Sequence, residues 1–226
     1  NDFRAVFWVA GVPAWLAVAL LVIGVREPVR PKAHVRTNPI SRANLKRLSA
    51  AYWWVVGMGA VFTLARFSEA FLVLRAQQGG LPLALAPVVM VVMNVVYAAG
   101  AYPLGKLADS TRHSTLLAWG LAILIGANAL LAWSNQGWVV WAGIALWGLH
   151  MAMTQGLLAT MVADTAPAEL RGTAYGFFNL VSGIAMLIAS GLAGFLWDSA
   201  GASYTFLASL GFSVLALGLL LFRGRR

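Results

Sequence analysis

The sequence predicts an all-α integral membrane protein with about seven transmembrane helices. Three observations support this fold class: 61% of the 226 residues are hydrophobic, only 10% are charged, and the apolar residues fall into long runs separated by polar connectors. A soluble domain carries roughly 25% charged residues, because its surface faces water. This chain has too few charges for such a surface, so much of it must face lipid.

Each predicted span is an apolar segment long enough to cross the hydrocarbon core, which takes roughly 20 residues at about 1.5 Å rise per residue. Pro13 and Pro87 lie inside spans, where neighbouring helices can satisfy the freed carbonyl groups. The predicted spans are Phe3–Val25, Ser49–Val73, Pro82–Leu104, Thr115–Trp133, Trp138–Val162, Thr173–Trp197 and Tyr204–Phe222.

The distribution of basic residues predicts the orientation of these spans. Thirteen of the 16 Lys and Arg residues fall on one side, whereas Arg4 and Arg75 fall on the other and Arg66 lies within a span. Because positively charged loops stay in the cytoplasm, the C-terminus is predicted to be cytoplasmic and Asn1 to lie outside. The thirteen are Arg26, Arg30, Lys32, Arg36, Arg42, Lys46, Arg47, Lys106, Arg112, Arg171, Arg223, Arg225 and Arg226.

The net charge of +9 could also indicate a nucleic-acid-binding protein, but the basic residues lie between apolar runs and form no single soluble face. We therefore expect no nucleic-acid partner. Cysteine is absent, which excludes disulfides and cysteine metal sites. The chain begins with Asn1, has no signal-peptide pattern and enters an apolar run at once, so we expect it to be part of a longer polypeptide.

A short internal repeat suggests two related groups of three helices. The sequence Gly-x-Leu-x-Asp-Ser ends the third predicted span at Gly105–Ser110 and the sixth at Gly194–Ser199. The predicted topology puts the first copy inside and the second outside, as two three-helix units of opposite orientation require. Chance similarity is the alternative, since Gly and Leu are common in this chain.

Two stretches resemble the major facilitator superfamily of transporters. Gly105–Ser114 (GKLADSTRHS) resembles the loop motif in the C-terminal half of that family, although only Gly105 and Asp109 match it. Val162–Asn179 (VADTAPAELRGTAYGFFN) resembles the entry to the fifth helix of the same half.

The resemblance covers the whole chain and implies three parts. Residues 1–25 correspond to the last helix of the N-terminal half, and residues 26–48 to the basic cytoplasmic central loop. Residues 49–226 correspond to the C-terminal six-helix domain, a bundle with 3+3 inverted repeats.

Arg66 and Glu69 are the ionisable residues within the second predicted span. Charged groups in lipid are costly and usually functional, and a spacing of three places both on one face of a continuous helix. We expect either a substrate or proton-coupling site or a structural ion pair. In a proton-coupled mechanism Glu69 is the group expected to titrate, because it is the one carboxylate well inside a span.

Polar residues near the middle of three other spans are further candidates for the wall of a substrate cavity: Asn94, His150 and Asn179. Transporter sites usually lie near the bilayer midplane. The alternative is that these side chains hydrogen-bond between helices, as small polar residues often do in membrane bundles.

Two further sets of residues are predicted to shape the bundle. The pairs Gly172/Gly176 and Ser190/Gly194 have the small-x-x-x-small spacing that lets helices approach closely. The predicted cytoplasmic gate is a group of turn residues, in which the resemblance implies that Asp109 engages the start of the sixth span. Its members are Gly105, Asp109, Arg112, Asp164, Glu169 and Arg171.

These features predict a secondary transporter that moves a small molecule across the cell inner membrane by alternating access, with proton-coupled efflux of drug-like or metabolite substrates as the leading form. Its expected partners are a missing N-terminal half, the lipid bilayer, a substrate and protons; no cofactor or metal is expected. A seven-helix receptor or sensor and an uptake symporter for a small metabolite remain alternatives. An intramembrane enzyme is not expected, because His34, His113 and His150 are far apart in sequence and no nucleophile motif is present.

Overall fold

The computed structural model describes residues 4–25, 42–134 and 136–223. The chain divides into two units, residues 1–38 and residues 39–226. In the first unit, helix α1 spans Arg4–Gly24 and contains Pro13. Most of the predicted loop at 26–48, including His34, lies outside the described residues, as do Asn1 and the last three residues.

The second unit is a bundle of helices and short 3-10 turns, with no strand among the described residues. Six helical segments in the described part of the chain, α1 included, are long and apolar enough to cross a membrane. The remaining predicted span, Ser49–Val73, is divided between the shorter helix Ala50–Leu64 and the helix after it. The helices of this unit are α2 (Arg42–Lys46), α3 (Ala50–Leu64), α4 (Ala70–Gln78), α5 (Ala86–Ser110), α6 (His113–Trp133), α7 (Gly137–Thr154), α8 (Leu157–Thr165), α9 (Arg171–Ser199) and α10 (Ala202–Arg223), with 3-10 turns at Leu83–Leu85 and Ala168–Leu170.

Two predicted spans are wrong in one respect, because each is broken into two helices. Ser49–Val73 was predicted as one helix, but the chain leaves the helical conformation after Leu64 and resumes it at Ala70. Trp138–Val162 is broken between α7 and α8 at Gly156, whose φ of 87° lies in the left-handed region that glycine tolerates. Arg66 and Glu69 therefore do not share the face of a continuous helix.

The bundle has two apolar clusters, one toward each end. The first surrounds Tyr52, whose hydroxyl donates a hydrogen bond of 3.0 Å to the carbonyl of Ala174 and so joins α3 to α9. The second surrounds Phe67, Trp147 and Phe206, all of which are buried. Much of α6 and α7 is buried, whereas little of α5 and α9 is buried. The exposed faces are therefore available to lipid or to other parts of the protein.

One end of the bundle, here called the Ser49 end, brings together the start of α3, the start of α6 and the end of α8. Ser49 Oγ donates a hydrogen bond of 3.1 Å to the carbonyl of Thr165, and His113 Nδ1 lies 3.7 Å from Asp164 Oδ2. Asp109 is in the last turn of α5, four positions before His113. The turn that contains Asp109 therefore lies at the Ser49 end.

The opposite end, here called the Arg75 end, joins α4, α6 and α9. Arg75 Nη2 donates to the carbonyl of Ser134 at 3.3 Å, and the rings of Phe71 and Trp197 lie 5.6 Å apart. Asp198 follows Trp197 directly. The two turns of the internal repeat are thus at opposite ends of the bundle, as the predicted inverted repeat requires.

Candidate functional site

The centre of the candidate site is the break between α3 and α4. The end of α3 narrows to a 3-10-type turn, because the Arg66 N–H donates to the carbonyl of Thr63, three residues earlier, at 3.0 Å. The carbonyl of Ala65 accepts a hydrogen bond of 2.6 Å from Ser209 Oγ on α10. Freed backbone groups are tolerated at membrane depth only where such partners exist. The break is therefore supported by a helix that is distant in sequence.

Aromatic packing fixes the conformation of the unwound segment. Phe67 is 4% exposed, and its ring lies 5.2 Å from Phe71, 5.6 Å from Trp147 and 5.4 Å from Phe206. Aromatic pairs at these separations are favourable beyond the area they bury. Phe67 thus anchors the break in the core, next to the charged Arg66.

Arg66 is half-buried, and its guanidinium carbon lies 5.8 Å from the centre of the Phe62 ring. Its Nε atom is buried and has no hydrogen-bond partner among the described residues. Glu69 occupies the N-cap position of α4 without a side-chain capping hydrogen bond, and it forms no ion pair with Arg66 within 4.0 Å. The segment therefore presents a positive group with unused donors near a carboxylate.

His150 is fully buried between α6 and α7. Its Nδ1 lies 2.8 Å from the carbonyl oxygen of Gly120, which requires the proton on Nδ1, and Nε2 lies 3.5 Å from Thr154 Oγ1. The His150 ring is also 5.5 Å from the ring of Phe62. Phe62 therefore contacts both His150 and Arg66, and His150 is a hydrogen-bonded core residue behind the break.

Asn94 and Asn179 lie at exposed positions of α5 and α9. Asn94 Nδ2 donates to the carbonyl of Met90, one turn earlier in its own helix, at 2.8 Å. This bond leaves the Asn94 side-chain oxygen available. Neither asparagine forms an interhelical hydrogen bond with another described residue.

The predicted gate residues all lie near the Ser49 end, at exposed positions. Among them, Asp164 lies 3.7 Å from Nδ1 of His113, a neighbour that was not predicted. Arg112 lines a cavity of about 710 Å³ together with Trp54, Thr115, Trp119 and Met161. No described contact links Asp109 to the start of α9. The remaining members are Gly105 and Glu169, with Arg171 as the first residue of α9.

The predicted packing glycines are not where the helices of this chain approach most closely. A β-carbon at Gly172 or Gly176 would meet nothing within 4 Å, and one at Gly194 would lie 4.0 Å from Phe71. Ser190 is half-buried on the same helix. Small-residue spacing does not reveal which face of a helix meets a neighbour, so contacts of Gly172 and Gly176 with other parts of the protein stay a prediction.

Close helix approach instead occurs at glycines that the sequence analysis did not select. A β-carbon at Gly148 would clash with the backbone carbonyl of Met93, which brings α7 against α5. One at Gly59 would lie 2.5 Å from the ring of Phe178 on α9. Ser209 was also missed, although the spacing of Ser209 and Ser213 in an apolar span is a signal of polar residues on one helix face.

Membrane-length helices, two oppositely placed copies of one turn sequence and a charged break between two helices together define a multi-pass membrane protein. The model of the Major Facilitator Superfamily matches residues 1–190, and the chain belongs to this family. The predicted resemblance is thereby confirmed, together with the all-helical membrane fold.

Three relatives illustrate the range of the family. The chain is 27% identical over 205 residues to an uncharacterized MFS-type transporter of Methanocaldococcus jannaschii, a match that covers 87% of the chain and 50% of the relative. It is 29% identical over 166 residues to the lysosomal dipeptide transporter MFSD1 of Homo sapiens, covering 73% of the chain and 32% of the relative. It is 29% identical over 201 residues to the inner membrane transport protein YdhP of Escherichia coli O157:H7, covering 88% of the chain and 48% of the relative. The chain spans half or less of the length of these curated relatives.

Proposed function

We propose that this chain belongs to a secondary active transporter that moves a small molecule across the cell inner membrane by alternating access. The supporting observation is the break at residues 65–69, which holds Arg66 and Glu69 within a membrane span. Transporter sites are typically formed by discontinuous helices near the bilayer midplane. In this proposal the protein is a carrier, with no enzymatic step.

The break forms one wall of the substrate site in this proposal. Arg66 and Glu69 are its charged members, the exposed Asn94 and Asn179 are polar contacts on neighbouring helices, and His150 supports the wall from behind Phe62. The opposite wall comes from an N-terminal half of the same transporter. Residues 1–25 and 26–48 are proposed to be the last helix of that half and the cytoplasmic central loop.

Proton coupling is proposed to act through Glu69. A carboxylate at a helix start is stabilised in its charged form by the helix dipole and by a nearby arginine. Efflux driven by protons requires substrate and proton to compete for the site, so in this proposal the substrate binds while Glu69 is charged and leaves when Glu69 takes up a proton. Efflux of a drug-like or metabolite substrate against a proton gradient is the proposed direction.

At the Ser49 end, proposed to be cytoplasmic, the gate is formed by the six turn residues described above. Asp164 lies beside His113 in the present structure. In this proposal Asp109 engages the start of α9 in another conformation of the cycle, where the helix N-terminus favours a carboxylate.

A second candidate is uptake of a small metabolite. The observation that favours it is that one relative is named a lysosomal dipeptide transporter. A zwitterionic peptide would suit a wall that carries both a positive and a negative group.

The test is a flux measurement on the whole protein in proteoliposomes, with labelled substrate panels and with a proton gradient in either direction or none. Uphill efflux driven by an opposing proton gradient supports the proposal. Uphill uptake driven by co-directional protons supports the second candidate. If the substrate never accumulates above its equilibrium concentration, secondary active transport is contradicted. Ligand binding without any flux contradicts transport and favours a receptor.

A further inference from the structure

Two arginines of the broken span differ in how their guanidinium groups are satisfied. Arg75 is 3% exposed, and its terminal nitrogens donate to Gln78 Oε1 at 3.0 Å and to the carbonyl of Ser134 at 3.3 Å, although its Nε, like that of Arg66, is buried without a partner among the described residues. Within the part of the chain that the structure describes, the Arg66 guanidinium makes no hydrogen bond and no ion pair. Arg75 therefore has a structural role, because it joins α4 to the end of α6. The guanidinium of Arg66 joins no two helices by a hydrogen bond.

The surroundings of Arg66 are unfavourable for an unpaired charge. Its Nε is buried, the adjacent Phe62 ring is 4% exposed, and the next residue, Phe67, is in the aromatic core. Buried charges in proteins are normally paired or hydrogen-bonded, and arginines within membrane spans usually mark a substrate or ion pathway. Arg66 as a whole is half-buried, and Nε is the one nitrogen of its guanidinium that is both fully buried and without a partner among the described residues.

Glu69 is not a hydrogen-bond partner of Arg66. It lies at the N-cap position directly before α4, where the helix start favours a carboxylate, and beyond ion-pair distance from Arg66. The guanidinium is a planar fork of N–H donors that matches the two oxygens of a carboxylate. The unused N–H donors of Arg66 are therefore suited to bind a carboxylate group of another molecule.

Resting on the proposed transport function, we infer that Arg66 binds a carboxylate group of the transported molecule, so that the substrate class is organic anions or zwitterions with a free carboxylate. The Phe62 ring supports the guanidinium from one side. Neutral amides of the same molecules lack the negative charge and are bound weakly at this position.

The experiment uses the whole protein in proteoliposomes and the arginine reagent 4-hydroxyphenylglyoxal, with modification of Arg66 and Arg75 followed by peptide mass spectrometry. The probes are matched pairs: propionate with propionamide, 3-phenylpropionate with 3-phenylpropionamide, and N-acetylalanine with its amide. Arg75 is the internal control, because its guanidinium is already hydrogen-bonded. We expect at least one carboxylate to slow the modification of Arg66 several-fold, its amide to have no effect, and Arg75 to be unaffected by either.

The inference is overturned if every acid protects Arg66 no better than its amide. It is also overturned if Arg66 is never modified, because a site open to substrate must admit a reagent of similar size. As a second measurement, Arg66→Gln should weaken binding of the protecting carboxylate about tenfold or more, as loss of a charge-assisted contact does. Equal binding by the variant contradicts the assignment.

These outcomes are separable from failure of the transport proposal. Carboxylate protection of Arg66 without any flux contradicts transport and leaves the binding site standing. Flux restricted to molecules without a carboxylate, with Arg66 unprotected, contradicts the site and leaves transport standing.

Discussion

Ser209 Oγ donates a hydrogen bond of 2.6 Å to the carbonyl oxygen of Ala65, from a position 144 residues further along the chain. This bond satisfies a buried carbonyl at the point where α3 ends. It connects the last helix of the bundle to the segment that holds Arg66.

Replacement of Ser209 by Ala leaves the Ala65 carbonyl without its donor. We expect a loss of stability of about 1–2 kcal/mol, in the range for an unsatisfied buried group and for interhelical bonds in membranes. The measurement is thermal unfolding of the purified protein in detergent. Ser213→Ala is the matched control, because Ser213 Oγ bonds within its own helix, to the carbonyl of Ser209. Equal effects of the two variants would show that the bond to Ala65 does not stabilise the break.

Gly148→Ala should destabilise the bundle, because the added methyl group would meet the backbone carbonyl of Met93 and push α7 away from α5. Overpacking of this kind costs about 1–3 kcal/mol. The same unfolding assay and size-exclusion profiles measure the effect. Gly57→Ala is the control, since nothing lies within 4 Å of its β-carbon position. A Gly148→Ala protein as stable as the Gly57→Ala protein would contradict the close packing of α5 and α7.

Glu69→Gln should flatten the pH dependence of transport, because the side chain proposed to take up the proton can no longer titrate. Initial rates of flux across a range of external pH measure this effect. Asp198→Asn removes an exposed carboxylate at the end of α9 and should leave the pH profile unchanged. An unaltered profile for Glu69→Gln removes Glu69 from the coupling mechanism.

Single cysteines at Ser110 and Ser199 should react with a membrane-impermeant maleimide from opposite sides of the bilayer. Both positions are exposed at the ends of α5 and α9, and the chain has no cysteine of its own to add background. Ser110→Cys should be labelled from the cytoplasmic side, given the positive-inside rule. Labelling of both positions from the same side would refute the inverted arrangement of the two turns.

The sequence allowed the spans to be located because lipid imposes one requirement, a long apolar segment, on every helix that crosses it. Most of the predicted spans correspond closely to observed helices, such as Thr115–Trp133 within α6. The opposite placement of Asp109 and Asp198 also followed from the count of helices between them. Both inferences depend only on local composition and chain order.

The break at residues 65–69 was not predictable in this way, since the sequence Ala65-Arg66-Phe67-Ser68-Glu69 contains neither Gly nor Pro. Its causes are contacts with residues distant in sequence, the hydroxyl of Ser209 and the rings of Trp147 and Phe206. The second break did have a local signal in Gly156, which a hydropathy criterion does not weigh. A hydropathy criterion also gives no weight to a single glycine such as Gly148, so the close approach of α7 to α5 was not predicted.

An uninterrupted helix behaves as a stiff rod, so that tilting it at one membrane surface tilts it at the other. The span divided at Ala65 has separate attachments on either side of its break: Tyr52 fastens α3 to α9, and Arg75 fastens α4 to the end of α6. Each portion can therefore follow its own neighbour while the other stays in place. A span built in this way allows the bundle to rearrange near one membrane surface while the packing near the other surface is kept.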